Sequence, residues 1–120
     1  MHKFKSLLVW QVSFDLSIEI YKVTDKFPSK ERYNLISQIN RCAVSIPSNI
    51  AEGAGRNSPK EFVNFLSISN GSSYELETQM LIANKLGFMI ESDFDNFMVQ
   101  INHIQKMIFN LQKSLREQIK

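Results

Sequence analysis

Residues 38–61 read QINRCAVSIPSNIAEGAGRNSPKE, and this stretch, with the few residues before it, decides the fold. Leu35, Ile39, Cys42, Ile46 and Ile50 recur at steps of four, three, four and four, so one face of a helix looks into a core. Beside them run Asn34, Gln38, Arg41, Ser45, Ser48 and Glu52, a polar row at the edge of the buried face, where a charge needs a partner. Pro47 lies inside this helix, and its missing N–H predicts a kink rather than a break, because the three-and-four spacing holds on both sides. Gly53 and Gly55 are expected to end the helix, since glycine takes the left-handed conformation at little steric cost. Ser58, Pro59 and Glu61 then open the next helix as cap, first-turn residue and capping-box acid.

Working outward, the same punctuation defines three more helices. The first is expected from Leu7 to Phe27, opened by Ser6 as cap and closed by Pro28, which disfavours helix in the residue before it. It carries two apolar rows: Val9, Val12, Leu16, Ile20 and Val23, and alongside them Trp10, Phe14, Ile18 and Tyr21. That arc is wide enough to touch more than one neighbour. The second helix runs from Ser29 to Glu52, and the third from Pro59 to Leu86 with Gly87 as its stop. One row of the third is Phe62, Leu66, Ser69, Ser73, Leu76, Met80 and Ala83; the other is Phe65, Ile68, Ser72, Glu75, Gln79, Ile82 and Leu86. The small residues around Ser67–Ser73 allow a neighbouring backbone to approach closely. The fourth helix starts at Ser92, with Asp93 and Asp95 at the positive end of its dipole. Its seam of Phe94, Phe97, Ile101, Ile104, Ile108, Leu111, Leu115 and Ile119 is close to a heptad repeat. Four long helices, short connections and no strand pattern give an all-α, antiparallel up-and-down four-helix bundle, expected as one domain over residues 1–120.

The chain has 120 residues, 43% of them hydrophobic, enough for one compact core. Its single cysteine excludes an internal disulfide framework, and Cys42, on an apolar stripe, reads as a small buried hydrophobe. No segment approaches the roughly 20 apolar residues of a membrane span, and the apolar run Leu7–Trp10 is too short for a signal peptide, so the expected location is cytoplasmic. Bundle cores that hold di-iron use Glu-x-x-His pairs, and the sequence has none. Its two histidines are His2 and His103. Without a His, Cys and carboxylate cluster, no catalytic residue, metal ligand or cofactor can be named, and the expectation is a protein that is not an enzyme.

Fourteen Lys and Arg against twelve Asp and Glu leave only +2, so the placement of charge matters more than its sum. Folding the chain about Gly55–Asn57 brings Arg41 within one turn of Glu75, and the two are expected to pair across helices two and three, near Gln38 and Gln79. The topology sends Lys3, Lys5, Arg56, Lys60, Lys113, Arg116 and Lys120 to the end shared by the chain termini and the central loop. Opposed there by Glu52, Glu61 and Glu117, they leave +4. The other end is close to neutral. A basic end can track a phosphate backbone without sequence preference, although cations closing the fourth helix also complement its dipole. The free N–H groups at the start of the third helix, flanked by Arg56 and Lys60, are likewise suited to an anion.

Several short motifs resemble one family. They are Leu7-Leu8-Val9-Trp10-Gln11, Ser37-Gln38-Ile39 with Arg41, Ala43-Val44-Ser45-Ile46-Pro47, Asn49-Ile50-Ala51-Glu52-Gly53, Lys60-Glu61-Phe62 and Glu75-Leu76-Glu77-Thr78-Gln79. Together they resemble the four-helix-bundle proteins encoded in intervening sequences of bacterial 23S ribosomal RNA, which are similar in turn to the accessory variability proteins of diversity-generating retroelements. The resemblance covers nearly the whole chain. It implies a bundle that assembles into a barrel-like homopentamer with no established catalytic residues, and in retroelement members contact with reverse transcriptase and nucleic acid through basic surfaces. The chain departs from that pattern at Asn40, where a second basic residue is frequent beside Arg41, and at Asn57. The expected role is a non-enzymatic oligomeric scaffold whose basic end contacts RNA or a nucleoprotein partner. The alternative is a protein-binding or purely structural homo-oligomer that captures partners through Trp10, Phe14 and Ile18 and never meets nucleic acid.

Overall fold

In a computed structural model, which describes residues 2–119, the chain forms four long helices: α1 (Leu8–Thr24), α2 (Leu35–Ala54), α3 (Pro59–Lys85) and α4 (Glu91–Arg116). Single 3-10 turns at Phe4–Ser6 and Ser29–Glu31 precede α1 and α2, and no strand occurs among the described residues. Each helix packs on the next, α1 closes the ring against α4, and no backbone contact crosses either diagonal. That is the contact pattern of an up-and-down bundle. The molecule measures 49 × 23 × 20 Å.

The ends of the bundle identify its direction. Phe27, after α1, packs its ring on Phe88, after α3, with centroids 5.6 Å apart. At the far end the backbone N–H of His2 donates to Ala54 O at 2.8 Å, and the His2 ring lies 5.1 Å from that of Phe62.

Every member of the α3 row from Phe62 to Ala83 is buried. Ser69 is fully buried, and its hydroxyl donates to Ile46 O across the α2–α3 seam at 2.7 Å. Beside it the Ser45 and Ser72 hydroxyls lie 2.9 Å apart. Small side chains thus let two backbones meet. Helix α2 passes through Pro47 without splitting.

Several boundaries differ from the sequence reading. Ser6 does not cap α1; its hydroxyl donates to Lys3 O at 2.7 Å, and extended Leu7 precedes the helix. Helix α1 stops at Thr24, which frees Phe27 to turn inward. Pro28 then holds an extended conformation, so Ser29 begins a 3-10 turn and α2 starts only at Leu35. Gly53 and Gly55 are not left-handed stops. Helix α2 runs on to Ala54, and Gly55 has φ −79°. Among the described residues only Gly87 has positive φ, at +76°, as expected of the stop after α3. Gly53 serves proximity instead: a Cβ there would lie 2.7 Å from Phe65 Cβ and 2.9 Å from Phe62 Cδ1. Ser58 does cap α3, accepting from the Glu61 N–H at 3.2 Å.

On α4 the buried set is Phe97, Ile101, Ile104, Ile108, Gln112 and Leu115. Leu111 is only partly buried and Ile119 is exposed. A straight helix keeps its 3.6-residue period and drifts off a 3.5-residue seam, so Gln112 takes the inward position assigned to Leu111. Its amide nitrogen donates to Val63 O at 3.1 Å and to Ser67 Oγ at 2.9 Å, which makes the polar intrusion tolerable.

The expected Arg41–Glu75 pair does not form. Both side chains are exposed, and the ion pairs among the described residues both involve Arg56. Register brings the two residues to the same stretch of the seam, but each keeps its charge in water, where a long side chain needs no partner. They bracket Cys42, whose thiol burial pushes above its ordinary value of 9.0; Gln79 opposes the rise, Glu75 adds to it and Arg41 opposes it.

Candidate nucleic-acid interface

Three separate parts of the chain build one end of the bundle. The amino-terminal turn carries Lys3 and Lys5, the α2–α3 connection and the first turn of α3 carry Arg56 and Lys60, and the last turn of α4 carries Lys113 and Arg116. A cleft of about 200 Å³ lined by His2, Arg56, Asn57, Ser58, Pro59, Phe62 and Gln118 joins all three. Both chain ends and the central loop therefore share one pole, as the alternating topology requires. Lys120, the seventh cation assigned to this pole, lies outside the described residues.

All six described cations are exposed, but they are not equivalent. Arg56 is held between Glu52 at 3.7 Å and Glu61 at 3.9 Å, with its guanidinium 4.9 Å from the Phe65 ring centroid. Exposed pairs of this kind contribute little stability, yet they fix where the guanidinium points and offset its charge. Spacing alone carried little signal for this: Glu52 and Arg56 are four residues apart, but Arg56 lies beyond the end of α2 at Ala54, where helical facing no longer holds. Lys3, Lys5, Lys60, Lys113 and Arg116 have no carboxylate partner within 4.0 Å among the described residues. Lys5 Nζ lies 6.0 Å from the Phe4 ring centroid, at the outer limit of a cation–π contact.

The arrangement can place several point charges against an extended polyanion, and it has no feature that reads sequence. The described residues contain no group of three or more His, Cys, Asp or Glu that could hold a metal ion, and His103 is exposed on α4. No helix among them is long and apolar enough to cross a membrane.

A second surface belongs to the same picture. On α1, Phe14 and Ile18 are each 42% exposed and Tyr21 is 52% exposed. This is the second apolar row of the sequence reading. Trp10 is partly buried, stacked on Phe14 with centroids 4.9 Å apart. Ile68 and Ile82 are exposed on α3, and Leu86 is exposed just after its end.

Comparison with known proteins agrees with the architecture. A crystal structure of a protein of unknown function from the S23 ribosomal protein family of Bacteroides thetaiotaomicron superposes with a TM-score of 0.79 at 21% identity, covering 88% of this chain and 96% of that one. At that identity the likeness shows the fold. No curated protein matches. The family model described as 23S rRNA-intervening sequence protein matches residues 5–110. That span reaches from the amino-terminal turn to the last turns of α4, and the chain belongs to the 23S rRNA-intervening sequence protein family.

Proposed function

We propose that the protein is a non-enzymatic oligomeric helical scaffold whose cationic pole contacts RNA or a nucleoprotein partner. The observation that carries this reading is the convergence of both chain ends and the α2–α3 loop on one pole, where five exposed cations lack a carboxylate partner among the described residues. Lys3, Lys5, Lys60, Lys113 and Arg116 are the phosphate-facing groups, and Arg56 is a positioned but partly neutralised member. Such a surface binds through release of counterions and so weakens as salt rises. The resemblance to retroelement accessory proteins makes a reverse transcriptase–RNA complex one form of the nucleoprotein partner.

An exposed apolar surface suited to assembly supports the same reading. Phe14, Ile18 and Tyr21 form an exposed apolar row that a monomer has no reason to keep together, and a second copy of the chain would cover it. The resemblance implies five copies around one axis, which would multiply the cationic pole fivefold. That apolar row also favours the second reading, a structural or protein-binding oligomer with no nucleic-acid role, in which reversing the basic residues leaves partner affinity unchanged.

A titration of structured RNA at two salt concentrations separates the two. Binding at low salt that weakens at high salt supports the polyanion reading; no binding at low salt, or binding indifferent to salt, favours the second. Light scattering that finds a monomer at micromolar concentration would remove the assembly.

A further inference from the structure

The middle of the α3–α4 seam opens into a groove of about 570 Å³ that the cationic pole does not include. Its walls hold two aromatic rings, Tyr74 on α3 and Phe109 on α4, which are 55% and 61% exposed. Neither ring stacks on another aromatic side chain among the described residues. Around them stand amides, each offering a donor and an acceptor. Asn102 and Asn110 are exposed on α4. The Ser73 hydroxyl donates to Asn70 O at 2.6 Å and lies 3.2 Å from Asn70 Oδ1, an arrangement that leaves the Asn70 side-chain NH₂ group for a ligand. Gln105 donates from Nε2 to Glu77 Oε1 at 2.9 Å, which steadies the amide and leaves its oxygen as an acceptor. Among the described residues, Lys106 is the charged side chain that lines the groove.

We infer that this groove binds the unpaired bases of single-stranded RNA, with Tyr74 and Phe109 as stacking faces, the surrounding amides bonding to base edges and Lys106 on a phosphate. Exposed rings on a positively charged track are the means by which single strands are held with little sequence preference. The track continues beyond the groove. Lys106 and Lys113 are seven residues apart, two turns along one face of α4 and about 10 Å in rise, so a strand leaving the groove past Phe109 and Asn110 runs onto the cationic pole. A second copy is a poorer occupant, because amides and a lysine share the lining with the two rings, whereas α1 carries an exposed row that is apolar throughout. A neutral sugar chain would use the rings and amides but not the cation. The inference deepens the RNA reading of the pole and differs from it in requiring bases that are not paired.

The test uses the full chain, an unstructured oligouridylate and an RNA duplex, each titrated by fluorescence anisotropy at low salt. The variants are the groove double substitution Tyr74→Leu with Phe109→Leu and the pole double substitution Lys113→Glu with Arg116→Glu. The expected result is that the groove variant keeps the wild-type melting curve and duplex affinity but binds oligouridylate about tenfold or more weakly, in line with the loss of two stacking partners. An oligouridylate affinity equal to wild type overturns the groove and leaves the pole standing. Duplex binding that survives the pole variant overturns the pole, while the groove stands on its own loss. An abasic oligonucleotide bound as tightly as oligouridylate, an uncharged oligosaccharide bound with the same dependence on the two rings, or a groove variant that changes oligomeric state would each overturn the base-stacking assignment.

Discussion

The two flanks of α3 are made from one helix and do opposite things. On the α2 side, Gly53 lies under Phe62 and Phe65, Ser69 reaches Ile46 O at 2.7 Å, and Ser45 meets Ser72 at 2.9 Å. On the α4 side, Tyr74 and Phe109 stand apart in an open groove, and contact across the seam is made by long amides such as Gln105 and Gln112. Small side chains bring backbones together and exclude a ligand, whereas long polar and aromatic side chains hold them apart and admit one. Stability should therefore be concentrated on the first flank and binding on the second.

The sharpest way to break that contrast is Gly53→Leu. Its Cβ would already lie 2.7 Å from Phe65 Cβ, so the helices must separate, and we expect a loss of about 3 kcal/mol in urea unfolding. A loss under about 1 kcal/mol would mean that the close approach is not maintained in solution. Next in size, Ser69→Val adds a methyl group at a fully buried site and deletes the hydrogen bond to Ile46 O; chemical denaturation should register about 1–2 kcal/mol. On the other flank, Tyr74→Leu and Phe109→Leu should change stability by no more than about 0.5 kcal/mol, because their rings are more than half exposed.

A smaller, pH-dependent effect belongs to Cys42 on the α2 side. Burial raises its pKa above 9.0 in the folded chain, so the thiol favours folding fully below the unfolded value and loses that contribution as pH rises through the folded one. Melting temperature should fall above pH 9, and Cys42→Ala should remove part of that slope. At neutral pH the native thiol should react slowly with a thiol reagent and rapidly once the chain is unfolded.

The contrast also explains what could be read from the sequence. The α3 row from Phe62 to Ala83 was legible residue by residue, because buried spacing leaves a periodic record. The role of Gly53 was not, since a glycine that ends a helix and one that admits a neighbour look identical until the facing residues, Phe62 and Phe65, are known. Gln112 was hidden because Leu111 beside it fits a heptad, and the distinction between 3.5 and 3.6 residues per turn accumulates only near the end of a long helix. Arg41 and Glu75 were placed at a common level, but rotation of the rows toward water, which decides pairing, has no signature in spacing. The cationic pole followed from topology alone. The groove did not, because Tyr74 and Phe109 occupy the solvent side of two helices and only their docking brings them to one place.

The central claim is that the pole formed by both chain ends and the α2–α3 loop is where RNA is held. The measurement that tests it most directly compares two charge reversals, Lys60→Glu with Lys113→Glu and Arg116→Glu at this pole, and Lys22→Glu with Lys26→Glu and Lys30→Glu at the opposite one, in structured-RNA titrations across a salt series. Reversal at the cationic pole should weaken binding and flatten the salt dependence by about one unit of slope for each phosphate no longer neutralised, while reversal at the opposite pole leaves affinity near wild type. Equal effects from the two, or none from the first, would contradict the assignment.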